Sequence, residues 1–182
     1  MFDFKRLRLS AKTCLTAAAV VAAMALVTCT VRTCRRGEVI VGQDELVALD
    51  PQNAGINIEV TRPWLSHDAV FNVKKPEDRD FNRLDVMRVM LQCAQSMHDT
   101  RVDKLYLAND GTRVYYLQGD YFKRLGSLYA KDDSWNNMKL CIELPQNTHT
   151  LNDSLAVKPH DGFLGSIQAL SDWNDIMDTL LK

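Results

Sequence analysis

Cysteine, proline and glycine are scarce in this chain, with 5 Cys, 5 Pro and 8 Gly among 182 residues. So few cysteines exclude a small scaffold held together by disulfides, and so little glycine and proline excludes a collagen-like repeat. The sequence contains 46% apolar and 25% charged residues, which excludes a disordered chain and a polytopic membrane protein. The composition therefore predicts a chain that folds around an ordinary hydrophobic core.

Net charge is also nearly absent, at −1, but this value hides an uneven distribution. Residues 1–36 carry seven Lys and Arg and one acidic residue, Asp3, whereas residues 37–182 carry 15 Lys and Arg and 22 Asp and Glu. We therefore predict a basic N-terminal signal or transmembrane segment at 1–36 and a single acidic domain at 37–182. The second part is long enough to bury a core of its own.

Charged residues are missing altogether between Lys12 and Arg32, where the stretch 14–31 reads CLTAAAVVAAMALVTCTV. A helix over these 18 residues would be about 27 Å long, close to the thickness of a bilayer's hydrocarbon core, about 30 Å. More basic residues precede the stretch than follow it, which favours a cytoplasmic N-terminus and an exported domain. We expect residues 14–31 to form a membrane-anchor or signal helix.

Three fates of this segment stay open from the sequence. The segment can remain as an uncleaved anchor, or a signal peptidase can cleave after the small-x-small pattern Ala23-Met24-Ala25. Alternatively, Leu26-Val27-Thr28-Cys29 resembles the bacterial lipoprotein box, with Cys29 as the acylated residue after cleavage. Each fate exports the domain, so we expect it in a bacterial cell envelope, anchored in the inner membrane or lipidated, and facing the periplasm.

The basic residues around the segment do not predict a nucleic-acid site. They lie beside an apolar stretch, where membrane topology and anionic headgroups already account for them. The domain itself is acidic and would repel phosphate. The expected partners are therefore the membrane, through residues 14–31, and a protein, with no nucleic acid.

Alternating apolar residues predict several strands in the domain. The first two are predicted at 38–41 and 56–61, and a hairpin is predicted where Asn109-Asp110-Gly111 joins 105–107 to 114–117. Alternation predicts a further strand at 138–144, ended by Pro145, and another strand is predicted at 163–170. The polar stretch 146–161 between these two is interpreted as a long loop.

Three helices are predicted from apolar residues at three- and four-residue steps. The helix at 84–97 is apolar over most of its circumference, which is typical of a central core helix. Asp120 is expected to cap a short helix ending at Leu128, and Ser171 or Asp172 to cap a C-terminal helix. This order of elements predicts an α+β fold, with a largely antiparallel sheet packed on the central amphipathic helix.

Only two cysteines, Cys93 and Cys141, belong to the domain. An oxidising compartment makes a disulfide between them a candidate, but a buried free thiol at Cys93 is favoured, because Cys93 lies on the apolar side of its predicted helix. No Cys-x-x-Cys pair occurs, which disfavours a thioredoxin-like redox site and a zinc ribbon.

The sequence carries no recognisable catalytic or cofactor motif. Its four histidines lack metal-ligand spacing, and neither a Gly-x-Ser-x-Gly elbow nor a glycine-rich phosphate loop is present. His149 and His160 share the long loop with Asp161, so these three are the candidates for acid–base catalysis, with solvated loop residues as the alternative. We predict no metal and no cofactor, and a binding protein is favoured over an enzyme.

Tyrosines are concentrated around the predicted hairpin and the helix after it, at Tyr106, Tyr115, Tyr116 and Tyr121. Tyr115 and Tyr116 are neighbours in one strand and must point to opposite faces, so at least one lies on the wetter face. Exposed tyrosines on a rigid sheet make good contacts for a protein, and the alternative is that these rings cover the edge of the core. We predict the four tyrosines as binding residues.

Export, a compact domain and the lack of a catalytic motif together favour one class of function. We expect a membrane-tethered or lipidated extracytoplasmic protein-binding domain, such as an accessory subunit of an envelope complex or an immunity-type protein. The alternatives are an exported hydrolase with a His/Asp loop site and a carrier that holds a small ligand between the sheet and the 84–97 helix.

Overall fold

The structure is a computed structural model that describes residues 37–74, 83–130, 134–160 and 162–181, apart from the side chains at 134–138 and 163. The predictions for residues 14–31, Ala25, Cys29 and Asp161 lie outside the described residues. Within the described ranges, no helix is both long enough and apolar enough to cross a membrane.

Six strands form one mixed sheet in which spatial order follows chain order. Their bounds are β1 Glu38–Val41, β2 Ile58–Arg62, β3 Ala69–Val73, β4 Lys104–Asn109, β5 Thr112–Gln118 and β6 Thr148–Thr150. Neighbouring strands are antiparallel except β3 and β4, which are parallel. A parallel pair needs a long crossover connection, and a helix provides it here.

Five helices are present among the described residues: α1 Gln43–Leu49, α2 Arg83–Ser96, α3 Gly119–Tyr129, α4 Ser134–Gln146 and α5 Gly162–Leu180. Helix α2 lies in the β3–β4 crossover and is buried along most of its length, with Val86, Met90 and Cys93 fully inaccessible to solvent. The predicted α+β class is confirmed, and the sheet is mixed.

One hydrophobic core lies between the helices and one face of the sheet, which we call the inner face. Phe71, Leu105 and Leu117 project into it from neighbouring strands, and all three are fully buried. Trp173 of α5 belongs to the same cluster and is 1% exposed. The opposite face of the sheet, the outer face, carries the residues considered below.

The strand predicted at 138–144 is wrong, because these residues belong to α4. In an alternating stretch, some apolar residues also lie four positions apart, which is the spacing of residues on one face of a helix. Leu140 and Leu144 have this spacing, and both are buried. Pro145 lies in the last turn of the helix instead of ending a strand.

The strand predicted at 163–170 is also wrong, because α5 runs without a break from Gly162 to Leu180. Its buried residues Ala169, Trp173, Ile176 and Leu180 follow helical steps, so Ser171 and Asp172 lie inside the helix and cap nothing. The expected cap at Asp120 is wrong as well, since α3 begins at Gly119 with Gln118 in the cap position.

Strand β3 and helix α1 had no prediction, and β6 lies within the stretch 146–161 that was expected to be a loop. Strand β3 reads AVFNV, and four of its five residues are buried, so it lacks the alternation of a half-exposed strand. Helix α1 is only seven residues long and buries one side chain, Leu46, which is too little periodicity to identify a helix.

Candidate functional site on the outer face of the sheet

A continuous row of side chains crosses all six strands on the outer face. Residues directly opposite each other in neighbouring strands share a face, and the register aligns them one after another. The row consists of Val39, Thr61, Val70, Tyr106, Tyr116 and His149. None of them belongs to the hydrophobic core, which confirms that the row faces away from the helices.

Two tyrosines of the row are held by cations. The ammonium of Lys104 lies 4.1 Å from the ring centroid of Tyr116, and the guanidinium of Arg113 lies 4.1 Å from that of Tyr106. The His149 ring stacks on Tyr116 with centroids 5.1 Å apart. These contacts leave Tyr116 only 2% exposed and Tyr106 half-buried, so neighbouring side chains fix the positions of both rings.

A carboxylate completes this cluster from a distant part of the chain. The hydroxyl of Tyr116 donates a hydrogen bond of 2.7 Å to Asp153 Oδ1, and Lys104 Nζ donates one of 3.1 Å to the same oxygen. Residues 148–156 form a tight hairpin that returns Asp153 to the sheet, with the Ala156 amide donating to the Thr148 carbonyl at 2.8 Å. Asp153 has a φ of 62°, a left-handed conformation that aspartate tolerates in turns.

The three polar groups of the cluster support one another's ordinary ionisation states. The hydrogen bond from Tyr116, followed by that from Lys104, lowers the pKa of Asp153. The hydrogen bond to Asp153 is the main cause that raises the pKa of Lys104, whereas burial is the main cause that raises the pKa of Tyr116. At neutral pH the cluster therefore holds an ammonium, a carboxylate and a neutral phenol side by side.

The other two predicted tyrosines lie elsewhere. Tyr115 points to the inner side of the sheet, where it lines a cavity beside α5. Tyr121 is 9% exposed on α3, below the guanidinium of Arg124, and burial raises the pKa of its hydroxyl. Only Tyr106 and Tyr116 therefore share the outer face.

The cavity beside α5 contains a histidine–carboxylate pair. It has a volume of about 350 Å³ and is lined by His160, Tyr115, Asp172 and Gln168, among others. His160 Nε2 lies 2.8 Å from Asp172 Oδ2, and Gln168 Nε2 donates to Asp172 Oδ1 at 3.2 Å. Asp172 is only 9% exposed, and its hydrogen bonds to His160 and Gln168 fix the position of its carboxylate.

The structure does not bring His149 and His160 together. His149 stands opposite Tyr116 on the outer face, while His160 lines the cavity with Tyr115, which lies on the other face. Tyr115 and Tyr116 point to opposite faces because side chains alternate along a strand, and each histidine lies beside a different one of these tyrosines. Among the described residues, no group of three or more His, Cys, Asp or Glu side chains is placed to hold a metal ion.

The two cysteines of the domain are free thiols in the structure, which does not contain the candidate disulfide. Cys93 is buried on α2, and Cys141 is half-buried on α4. Burial raises the pKa of both thiols, which keeps them protonated and weakly reactive at neutral pH.

A second cavity of about 350 Å³ lies among the helices, lined by Leu49, Gln92, Gln95, Tyr129 and Ala130. No residue of the six described strands lines it, so it differs in place from the predicted carrier cavity between the sheet and the 84–97 helix. The carrier function therefore stays a prediction.

Three residues of the candidate sites, Lys104, Asp153 and Asp172, were not predicted from the sequence. A local pattern could have identified only the first. Lys104 lies two residues before Tyr106 in one strand and therefore shares its face. Asp153 and Asp172 reach their partners across 37 and 12 residues, and no local pattern predicts those contacts. Comparison of the chain with protein-family models, curated proteins and solved structures found no match.

Proposed function

We propose that this protein is a membrane-tethered or lipidated extracytoplasmic domain that binds a protein partner through the outer face. Residues 14–31 serve as the anchor, or Cys29 carries the lipid, and the acidic domain lies on the periplasmic side. The sequence supports the tether by its uncharged stretch of 18 residues between basic flanks. The observation that carries the binding function is the half-buried ring of Tyr106 under the Arg113 guanidinium, beside the Lys104–Asp153 pair that covers the buried Tyr116.

The chemistry of the outer face suits a protein surface better than a small ligand. Tyrosine and arginine are the residues most enriched among those that dominate binding energy at protein interfaces. Lys104, Arg113 and Asp153 supply both signs of charge around the rings, which favours a partner with complementary charges of its own. Because the rings are already ordered, little side-chain entropy is lost on binding.

We expect Arg113→Ala to weaken capture of the partner about tenfold, which corresponds to about 1.4 kcal/mol. The substitution removes both a contact group and the cation that orders the Tyr106 ring. Partner capture is measured with a photoreactive phenylalanine analogue at position 106 in intact cells, and then by affinity for the identified protein. Arg124→Ala is the matched control, because Arg124 covers Tyr121 away from the outer face.

Photoreactive probes at position 106 and at position 70 should capture the same partner protein, because Val70 on β3 lies directly opposite Tyr106 on β4. A probe at Lys123, exposed on α3, should not capture it. Equal capture from Lys123, or equal affinity of Arg113→Ala and the unsubstituted chain, contradicts a binding site on the outer face.

A second candidate function, hydrolysis of a small ester, is favoured by the His160–Asp172 pair. The carboxylate accepts from Nε2 of the imidazole, which leaves Nδ1 with a lone pair that can accept a proton. In this reaction a water molecule attacks the ester carbonyl as its proton passes to His160 Nδ1. The C–O bond to the alcohol then breaks, and the alcohol takes the proton back.

We expect His160→Ala to lower such hydrolysis at least about a hundredfold, as for loss of a general base. Asp172→Asn should also lower the rate, because the amide no longer fixes the imidazole tautomer. Turnover of a chromogenic ester by the purified full chain measures both. His149→Ala is the control and should keep full activity, since His149 lies on the outer face; an unchanged rate in His160→Ala excludes this function.

A further inference from the structure

Two large apolar side chains protrude from the turn between β2 and β3. Trp64 is 67% exposed and Leu65 is fully exposed. Leu65 also has a φ of 63°, a left-handed conformation that costs a non-glycine residue about 1 kcal/mol. Exposure and backbone strain together give the pair the character of a contact surface.

This tip lies at the end of the sheet where the described chain begins. Glu38, at the start of β1, pairs with Arg62, and Trp64 follows two residues later. Residues 32–37 separate Glu38 from the apolar stretch 14–31, and six residues can span at most about 20 Å. A membrane that holds residues 14–31 therefore lies within reach of this end of the sheet.

We propose that the tip formed by Trp64 and Leu65 inserts into the interface of the membrane that holds residues 14–31. The inference rests on the membrane tether proposed above. Tryptophan is enriched at membrane interfaces because its ring is apolar at one end and carries an N–H donor at the other. The leucine beside it adds apolar area that would enter the acyl boundary.

The charges around the tip indicate that apolar insertion, not attraction to anionic headgroups, drives the contact. Arg62 donates to the backbone carbonyl of Arg101, and Arg101 forms an ion pair with Asp103 at 3.2 Å. Positive and negative side chains therefore both lie near the tip, and the two arginines do not form a basic patch. We expect high salt to leave the inserted tip in place.

Tryptophan fluorescence of the full chain in phospholipid vesicles tests this. The vesicles contain phosphatidylethanolamine and phosphatidylglycerol, with or without bromine atoms on the acyl chains, which quench nearby tryptophans. We expect brominated lipid to quench the unsubstituted chain and Trp64→Phe to lose most of that quenching. The double variant Trp64→Phe/Thr112→Trp is the matched control, because Thr112 is exposed in the β4–β5 turn at the opposite end of the sheet.

Flotation of the vesicles separates the failure of this inference from failure of the tether. A chain that floats with the vesicles but shows equal quenching with and without Trp64 keeps the tether and overturns insertion of the tip. Quenching restored by the tryptophan at position 112 also overturns it. A chain that does not float overturns both the tether and the inserted tip.

Discussion

The substitution Gly126→Ala is expected to lower the free energy of unfolding by about 3 kcal/mol, the upper part of the usual range for overpacking. A β-carbon at position 126 of α3 would lie 2.0 Å from the carbonyl oxygen of Ala94 in α2, and 2.4 Å from its carbonyl carbon. Because both are backbone atoms of a buried helix, no rotation of a side chain relieves the clash. The two helices must move apart and lose packing along their contact.

Urea unfolding followed by far-ultraviolet circular dichroism measures this effect. Ser127→Ala, at the next position of the same helix, is the control, because Ser127 is exposed and its substitution should change stability by no more than about 0.5 kcal/mol. A Gly126→Ala variant as stable as this control would show that α2 and α3 do not approach so closely.

The substitution Asn53→Leu is expected to cost about 3 kcal/mol of stability, because it removes two buried hydrogen bonds and leaves the oxygen of Gln92 without its donor. Asn53 is fully buried, and its amide donates to the Leu46 carbonyl at 2.8 Å and to Gln92 Oε1 at 2.6 Å. Gln92 in turn donates to Asp50 at 3.1 Å, so one chain of hydrogen bonds joins α2 to the segment after α1. Removing its central member deprives Gln92 Oε1 of its donor, whereas the Leu46 carbonyl keeps the Asp50 amide as a donor at 3.1 Å.

A double-mutant cycle with Gln92→Leu provides the control for this network. The double variant should be more stable than the sum of the two single losses predicts, since removing both partners leaves fewer unsatisfied groups. Additive losses in thermal or urea unfolding would contradict coupling between Asn53 and Gln92.

Much of the fold could be predicted, because in those parts of the chain the turn residues and the apolar pattern favour the same structure as the tertiary packing. Strand β1 has its predicted bounds, and the turn residues Asn109-Asp110-Gly111 join β4 to β5 as expected. Gly111 has a φ of 82°, which is why glycine in this turn is such a strong signal. The errors at α4 and at the start of α5 arise where seven or eight residues fit a strand and a helix equally well.

The outer face could be predicted only in part. Alternation alone places Tyr115 and Tyr116 on opposite faces, and the structure has them so, but it does not say which one faces the helices. His149 lies on a strand of three residues, which is too short for an alternating pattern to be recognised within the polar stretch around it. The contact of Asp153 with Tyr116 depends on how the hairpin of 148–156 returns to the sheet, which only tertiary structure determines.

The hairpin that carries Asp153 also decides how a partner can approach this end of the sheet. His149 pairs with Leu155, and the Thr150 amide donates to the Ser154 carbonyl at 2.8 Å, so the outward edge of β6 is already occupied by the chain itself. A foreign strand therefore cannot extend the sheet beside β6, because the backbone groups it would need are taken. If the proposed partner binds near Tyr116, it therefore contacts side chains there, and we expect single substitutions of those side chains to weaken binding.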